Sequence, residues 1–149
     1  MALAVAEAHR VLRPGGQLLD IHPEGAPSRL ELWQPLSGQS SETQEPEAYA
    51  RRNLGDLAPE SRVADFIATT QAMADALHHG FALGASVTFD YRFFFDTLDD
   101  LTTYLEENEE LDLAGDDLLE QALLGLQQSS TPAQLVLVQR VNVTRLLKR

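Results

Sequence analysis

The chain of 149 residues contains no cysteine. Disulfide bonds, thiolate catalysis and cysteine-ligated zinc are therefore excluded, and the composition is compatible with the reducing cytoplasm, where we expect the protein to reside. Long apolar runs are also lacking. The opening segment MALAVAEAHR has no basic leader and reaches a charge at Glu7, and no other run approaches the roughly 20 residues that cross a bilayer. We expect neither a signal peptide nor a membrane partner.

Basic residues are scarce in this chain. The 11 Lys and Arg residues are outnumbered by 23 Asp and Glu residues, so the formal net charge is −12. Such a surface repels polyanions, and we expect no nucleic-acid partner. No basic residue or histidine interrupts the acidic segment from Asp96 to Glu120. We interpret this segment as the solvated face of helices, because the spacing in DLAGDDLLE does not match a calcium-binding EF-hand loop.

Apolar residues make up 44% of the chain, which is typical of a globular protein. Residues 2–12 are rich in Ala and Leu and predict a helix that Pro14 and Gly15 end. The segment QLLDI, Gln17–Ile21, predicts a strand buried on both faces. The segments ASVTFDYRFFFD and AQLVLVQRVNVTRLL predict two further strands, the second of them long and central in a sheet.

Three more helices are predicted between the strands. Ser61 is a suitable N-cap for the first, which runs to His79 and has an apolar stripe that we assign to the core: Val63, Phe66, Ile67, Met73, Ala74 and Leu77. Asp96 or Thr97 is expected to cap the second. Its apolar residues are Leu98, Leu101 and Leu105, and those of the third are Leu119, Ala122, Leu123 and Leu126.

Residues 26–60 are mostly polar and contain four prolines. We predict a long connection here, with a short helix near Pro46–Asn53. Trp33 and Leu36 are expected to anchor this connection to the core. Long irregular segments are uncommon in compact domains and are often functional.

The segment EAHRVLRPGGQLLDIHP resembles the class I S-adenosylmethionine-dependent methyltransferases, in which a helix ends in an R-V-L-x-P-G-G turn before the fifth strand. The residues that match this pattern in place are Glu7, Arg10, Val11, Leu12, Pro14, Gly15 and Gly16. The resemblance implies an α/β fold of partial Rossmann-like methyltransferase type, in one domain over residues 1–149. Its small mixed sheet would hold strands equivalent to the fifth, sixth and seventh, with helices packed on it. The last strand would lie between the other two, antiparallel to both.

Cofactor binding in that family depends on a glycine-rich G-x-G-x-G loop and on an acidic residue after the second strand. The chain shows neither, so the resemblance implies the C-terminal half of a methyltransferase that is non-catalytic on its own. S-adenosylmethionine would bind only if a partner supplied the other half. Three interpretations stay open: a dimerisation or binding module, a substrate-side subunit of an active methyltransferase, and a truncated fragment of one.

No catalytic residue, metal ligand or cofactor-binding residue is assigned, because no Ser-His-Asp signature, P-loop or H-E-x-x-H motif occurs. His22 follows the first strand and lies beside Asp20 and Glu24. Ligands of open α/β sheets bind outside the carboxyl ends of strands. We therefore expect any small ligand near His22, Glu24 and Trp33, where His22 could polarise or deprotonate it. The alternative is a polar residue bonded to backbone before a turn.

The resemblance also implies an assembly state. The family pairs its fifth strand on both sides, and the counterpart of one neighbour is missing here, so one edge of Gln17–Ile21 is expected to be unpaired. Exposed apolar edges promote association, and twofold homodimers are the commonest oligomers. We expect a homodimer, formed through this edge or through bare helix surfaces.

Overall fold

The structure, a computed structural model, describes residues 2–36, 46–57 and 60–149. The helices are α1 (Ala2–Val11), α2 (Glu60–His78), α3 (Leu98–Glu107), the single turn α4 (Leu111–Ala114) and α5 (Asp116–Gln128). The strands are β1 (Gln17–Pro23), β2 (Arg29–Pro35), β3 (Tyr49–Asp56), β4 (Phe81–Phe95) and β5 (Gln134–Lys148). The predicted helices and strands outside residues 26–60 are thus confirmed. Helix α2 begins at Glu60, however, so Ser61 lies inside it and the prediction that Ser61 is the N-cap is wrong.

Internal contacts divide the chain into two compact units. The terminal unit comprises Met1–Ala26, Pro59–Tyr91 and Arg140–Arg149, and the inner unit comprises Pro27–Ala58 and Arg92–Gln139. Strands β4 and β5 contribute residues to both units. The strands are ordered β1–β5–β2–β3, and β4 also pairs with β5.

The strands of the sheet are antiparallel. Strand β5 runs antiparallel to β1 and to β2, and β2 runs antiparallel to β3. The N-terminal end of β4 lies beside the C-terminal end of β5, where the Arg149 N–H donates to the Gly80 carbonyl. The C-terminal end of β4 lies beside the N-terminal end of β5, where the Gln134 side-chain amide donates to the Asp96 carboxylate. The α/β class and the place of the last strand between β1 and β4 are confirmed. The expected mixed sheet is wrong, because every ladder here is antiparallel.

In the terminal unit, α1 and α2 pack on one face of β1 and β5. Their buried contacts centre on Val5, Ala76, Phe81 and Leu146, with Leu18 of β1 packed against them. The opposite face of β1 carries Leu19 and Ile21, whose side chains are 59% and 65% exposed. The expectation that this strand is buried on both faces is therefore wrong, since the helices of this unit cover only the Leu18 face.

The core face of α2 also differs from the predicted stripe. Thr69, Ala72 and Ala76 are buried, whereas Ile67 and Leu77 are exposed. The buried positions repeat at the helical spacing, but their side chains are small. Small side chains let α1 and α2 approach closely, so Ile67 and Leu77 are left outside the contact, while Met73 packs against the cluster as predicted. The side chain of Val63 lies outside the described residues.

In the inner unit, helices α3–α5 and the sheet bury a larger core. It contains Leu30 and Leu32 of β2, Leu101 and Leu105 of α3, and Leu135 of β5. The predicted burial of both α3 leucines is confirmed. Thr97 is the N-cap, as expected, because its hydroxyl oxygen accepts from the Asp100 N–H at 3.1 Å.

Acidic residues of the inner unit behave as predicted for a solvated helix surface. Asp99 and Asp100 of α3 and Asp116 and Asp117 of α5 are exposed. The carboxylates near each helix start also lie where the helix dipole favours negative charge. On α5 the buried face is Leu118, Ala122 and Gly125, while Leu123, which we assigned to the apolar side, is 40% exposed.

Residues 26–60 contain two strands that the sequence did not predict. A 3-10 turn at Pro46–Ala48, rather than a longer helix, precedes β3. Strand β2 is buried on both faces and so lacks alternation, and the polar, exposed β3 is held by its ladder with β2. Trp33 is buried as expected. Leu36 is 44% exposed, so the prediction that it anchors the segment is wrong.

Candidate functional site

Asp20 and His22 form a close polar pair on β1. They occupy alternate positions and so lie on the same face of the strand. His22 Nδ1 is 2.5 Å from Asp20 Oδ2, and the two side chains are 17% and 19% exposed. An ionised carboxylate can only accept, so Nδ1 is the donor, and when the ring is neutral Nε2 carries the lone pair. The pair therefore orients one histidine nitrogen to accept a proton or a hydrogen bond.

Polar side chains of two neighbouring strands extend this pair across the sheet. On β5, Asn142 is the cross-strand partner of His22, and Thr144 is the partner of Asp20. Ser86 of β4 donates to Asn142 Oδ1 at 3.0 Å, and its oxygen lies 3.0 Å from the Thr144 hydroxyl. The Thr144 hydroxyl also donates to Asn142 Oδ1 at 2.9 Å. We call these five residues the polar ladder.

Phe66 of α2 lies over one end of the polar ladder. Its ring centroid is 6.5 Å from that of His22. Gly25 makes this approach possible, because a Cβ built on Gly25 would be 2.6 Å from Phe66 Cγ. Gly25 also has a φ of +80°, which favours glycine. The turn after β1 and the start of α2 thus hold Phe66 against His22.

Glu24 forms an ion pair with Arg140 of β5 at the same end of β1. The Arg140 Nε donates to Glu24 Oε2 at 3.0 Å, and the Glu24 N–H donates to the Arg140 carbonyl at 2.9 Å. Both side chains are more than a third exposed. The structure therefore brings the predicted residues His22 and Glu24 to one strand end, with Glu24 engaged in an ion pair.

Trp33, the third predicted ligand residue, lies in the inner unit and is completely buried. Its indole N–H donates to Glu31 Oε2 at 2.7 Å, and Arg29 donates to the other oxygen of that carboxylate. The rings of Tyr49 and Phe94 lie 5.2 Å and 5.6 Å from the indole. Trp33 organises the core of this unit, and its ring has no accessible surface to offer a ligand.

The polar ladder does not form a nucleophile–base–acid triad. Ser86 and His22 are separated by β5, and two strand spacings amount to about 9.5 Å, well beyond hydrogen-bond reach. No cluster of His, Asp and Glu suited to a metal ion occurs within the described part of the chain. What the ladder offers is a row of hydroxyl, amide, carboxylate and imidazole groups.

Sequence reasoning found the end of this ladder but missed its extension. Asp20, His22 and Glu24 were recognisable because they are alternate polar positions at the end of an apolar strand. Ser86, Asn142 and Thr144 were not, because they sit on other strands and only the strand register unites them. The alternation Asn142–Thr144 within an apolar strand was the one available signal.

On the opposite face of the same strands lies an apolar surface. Because Ser86 faces Asn142 and Thr144, the alternate residues of β4 project from the other side, as Leu19 and Ile21 of β1 do. We call this surface the open face; its members are Leu19, Ile21, Val87, Phe89 and Tyr91, each between 44% and 65% exposed. The exposed Arg145 of β5, the cross-strand partner of Leu19, lies on this face as well. Apolar exposure of this extent often marks an interaction surface.

Comparison with models of known protein families gives no match for this chain, and comparison with curated protein sequences gives none either. Among the helices of the described ranges, none combines the length and apolarity needed to cross a membrane.

Proposed function

We propose that the chain is a methyltransferase-related module that is non-catalytic on its own and acts by assembling as a homodimer through its terminal unit. The observation that carries this proposal is the open face beside β1. Two-layer α/β units bury each apolar sheet face against another element, and no described helix of this unit covers this one. A second copy is the simplest partner for the Leu19 and Ile21 margin of this face, because twofold homodimers predominate among oligomers.

The relation to methyltransferases rests on two supports. The R-V-L-x-P-G-G turn joins α1 to β1, and the strand order β1–β5–β4 is the order that the resemblance implies for the fifth, seventh and sixth strands. The finer proposal, a partial Rossmann-like fold, rests on this order. We also retain the cytoplasm as the proposed compartment, on the cysteine-free composition.

Light scattering after gel filtration tests the assembly. We expect the wild-type chain to elute as a dimer at micromolar concentration and Ile21→Lys to elute as a monomer, because a desolvated charge at an interface is costly. Val11→Lys is the matched control: Val11 is 62% exposed, like Ile21 at 65%, but lies on α1 outside the open face. Both changes reduce the negative net charge equally, so added repulsion cannot explain a difference. A wild-type monomer contradicts the proposal.

The alternative function is a substrate-side subunit or a fragment of an active methyltransferase. The Asp20–His22 pair favours it, because an oriented imidazole at a strand end suits proton transfer to or from a substrate. Calorimetric titration with S-adenosylmethionine tests the non-catalytic proposal. That proposal expects no measurable binding by the isolated chain, and micromolar binding with defined stoichiometry contradicts it.

A further inference from the structure

The outer edge of β1 has a defined pattern of hydrogen-bonding groups. At its two ends, the Glu24 N–H donates to the Arg140 carbonyl and the Lys148 N–H donates to the Gly16 carbonyl, both at 2.9 Å. Backbone groups of an antiparallel strand point alternately to its two sides. The even-numbered residues of β1 therefore bond β5, and the odd-numbered ones point away from it. No described strand pairs with this outer side.

From this pattern we infer that a second copy of the chain adds antiparallel to the outer edge of β1, with the twofold axis passing beside Leu19. The inference rests on the proposed homodimer and specifies where it forms. In this register Leu19 lies opposite the partner's Leu19, and Gln17 lies opposite the partner's Ile21. Every outward-facing N–H group of Gln17, Leu19 and Ile21 then meets a carbonyl of the other copy.

Pairings of the two β1 strands with the axis shifted to either side of Leu19 are less favourable, because of the residues that they bring opposite each other. Moving the axis toward Pro23 sets that residue, which has no N–H, opposite Gln17. It also places Asp20 directly opposite the partner's Asp20, and like charges in that position are destabilising. Moving the axis the other way sets Ile21 opposite Gly15, whose N–H already donates to the Lys148 carbonyl at 2.9 Å. Only the axis at Leu19 avoids all three losses.

The side chains agree with this register. Leu19 and Ile21 project from the open face and are exposed, so the two copies would juxtapose their leucines at the axis and flank them with isoleucines. Pro23 ends the row of donors, as prolines at sheet edges commonly do. The shared sheet would also join the open faces of the two copies into one surface.

Cysteine cross-linking tests the register, and the cysteine-free chain provides a clean background. Opposed residues of a hydrogen-bonded antiparallel pair have Cα atoms about 5.5 Å apart, within the range of about 4.4–6.8 Å that disulfides need. Under mild oxidation at low protein concentration, Leu19→Cys should form a covalent dimer on its own. Ile21→Cys should not, because the two copies of that residue would lie about 13 Å apart. A mixture of Gln17→Cys chains with Ile21→Cys chains should cross-link.

A second variant tests the backbone pairing itself. Gln17→Pro removes one outward-facing donor and no β1–β5 hydrogen bond, so the dimer should weaken at least tenfold, while Gln17→Ala should dimerise like the wild type. Circular dichroism verifies that both variants fold. If the wild type dimerises but Leu19→Cys fails to cross-link and Gln17→Pro has no effect, the edge register is overturned and the homodimer stands. Cross-linking of Ile21→Cys as fast as Leu19→Cys also overturns the register. A wild-type monomer overturns both proposals.

Discussion

The terminal and inner units bury their apolar residues to very different degrees. In the inner unit, two clusters enclose residues from strands and helices, including the fully buried Trp33 and Leu101. Within the described residues of the terminal unit, a single small cluster is centred on Phe81 and Leu146. Most of the exposed large apolar side chains belong to the terminal unit. The inner unit thus encloses most of its large apolar residues, whereas the terminal unit leaves many of its own exposed.

Strand β4 shows the difference within one element. Phe89 and Phe95 belong to the same alternation, yet Phe89 is 44% exposed and Phe95 only 8%. The strand pattern is the same at both positions, so it cannot decide which aromatic ring is covered. Phe95 packs with the α3 leucines in the inner unit, while Phe89 lies on the open face. Burial therefore depends on which helices pack beside each half of the strand.

The largest effect that separates the two units is expected from a matched pair of leucine truncations. Leu105 is 1% exposed in the inner core, and Leu105→Ala should lower the free energy of unfolding by about 2–5 kcal/mol through lost contacts and a cavity. Leu19→Ala removes the same atoms from the open face. It should change the stability of the monomer by less than about 0.5 kcal/mol.

Urea denaturation at several protein concentrations measures both variants. The loss in Leu105→Ala should be the same at every concentration, because the cavity lies within one chain. Leu19→Ala should instead reduce the rise of stability with protein concentration that a homodimer shows. Equal losses in the two variants at low concentration would mean that Leu19 is packed within the monomer, and the contrast between the units would fail.

Local signals accounted for the elements that the sequence predicted correctly. Pro14 and Gly15 ended α1, Thr97 marked the start of α3, and the β-branched and aromatic residues of β4 marked a strand. Each of these signals acts within a few residues. The α/β class followed from them, whereas the place of β5 between β1 and β4 was implied by the family resemblance.

Long-range pairing accounts for what the sequence left out. Strand β3, YARRNLGD, is polar and has low strand propensity, and its partner β2 supplies the ladder that holds it. The carbonyl groups at the C-terminal end of α1 are likewise satisfied by a residue distant in sequence, since the Lys148 ammonium donates to the carbonyls of His9 and Leu12. The polar ladder is distributed over three strands in the same way. Such features depend on register, which no single segment encodes.

A smaller effect is expected at Gly25, where the packing of the terminal unit can be measured directly. Gly25 and Gly15 have similar φ angles, +80° and +76°, so alanine at either position costs about 1–2 kcal/mol in backbone strain. A Cβ at Gly15 meets nothing within 4 Å, whereas one at Gly25 would be 2.6 Å from Phe66 Cγ. Gly15→Ala is therefore the control, because it introduces the same backbone strain but no steric clash with a neighbouring side chain.

If Phe66 is held firmly over His22, Gly25→Ala should be less stable than Gly15→Ala by a further amount of about 1–3 kcal/mol, because overpacking forces neighbours to move. The ring protons of His22 should also shift in the NMR spectrum of Gly25→Ala and stay in place in that of Gly15→Ala, since only the first change displaces the ring beside them. Equal stability of the two variants with an unshifted His22 signal would contradict this packing. Equal stability with a shifted signal would instead mean that Phe66 moves aside at little cost in free energy. Such loose packing is what we expect of the terminal unit if a second copy of the chain completes it.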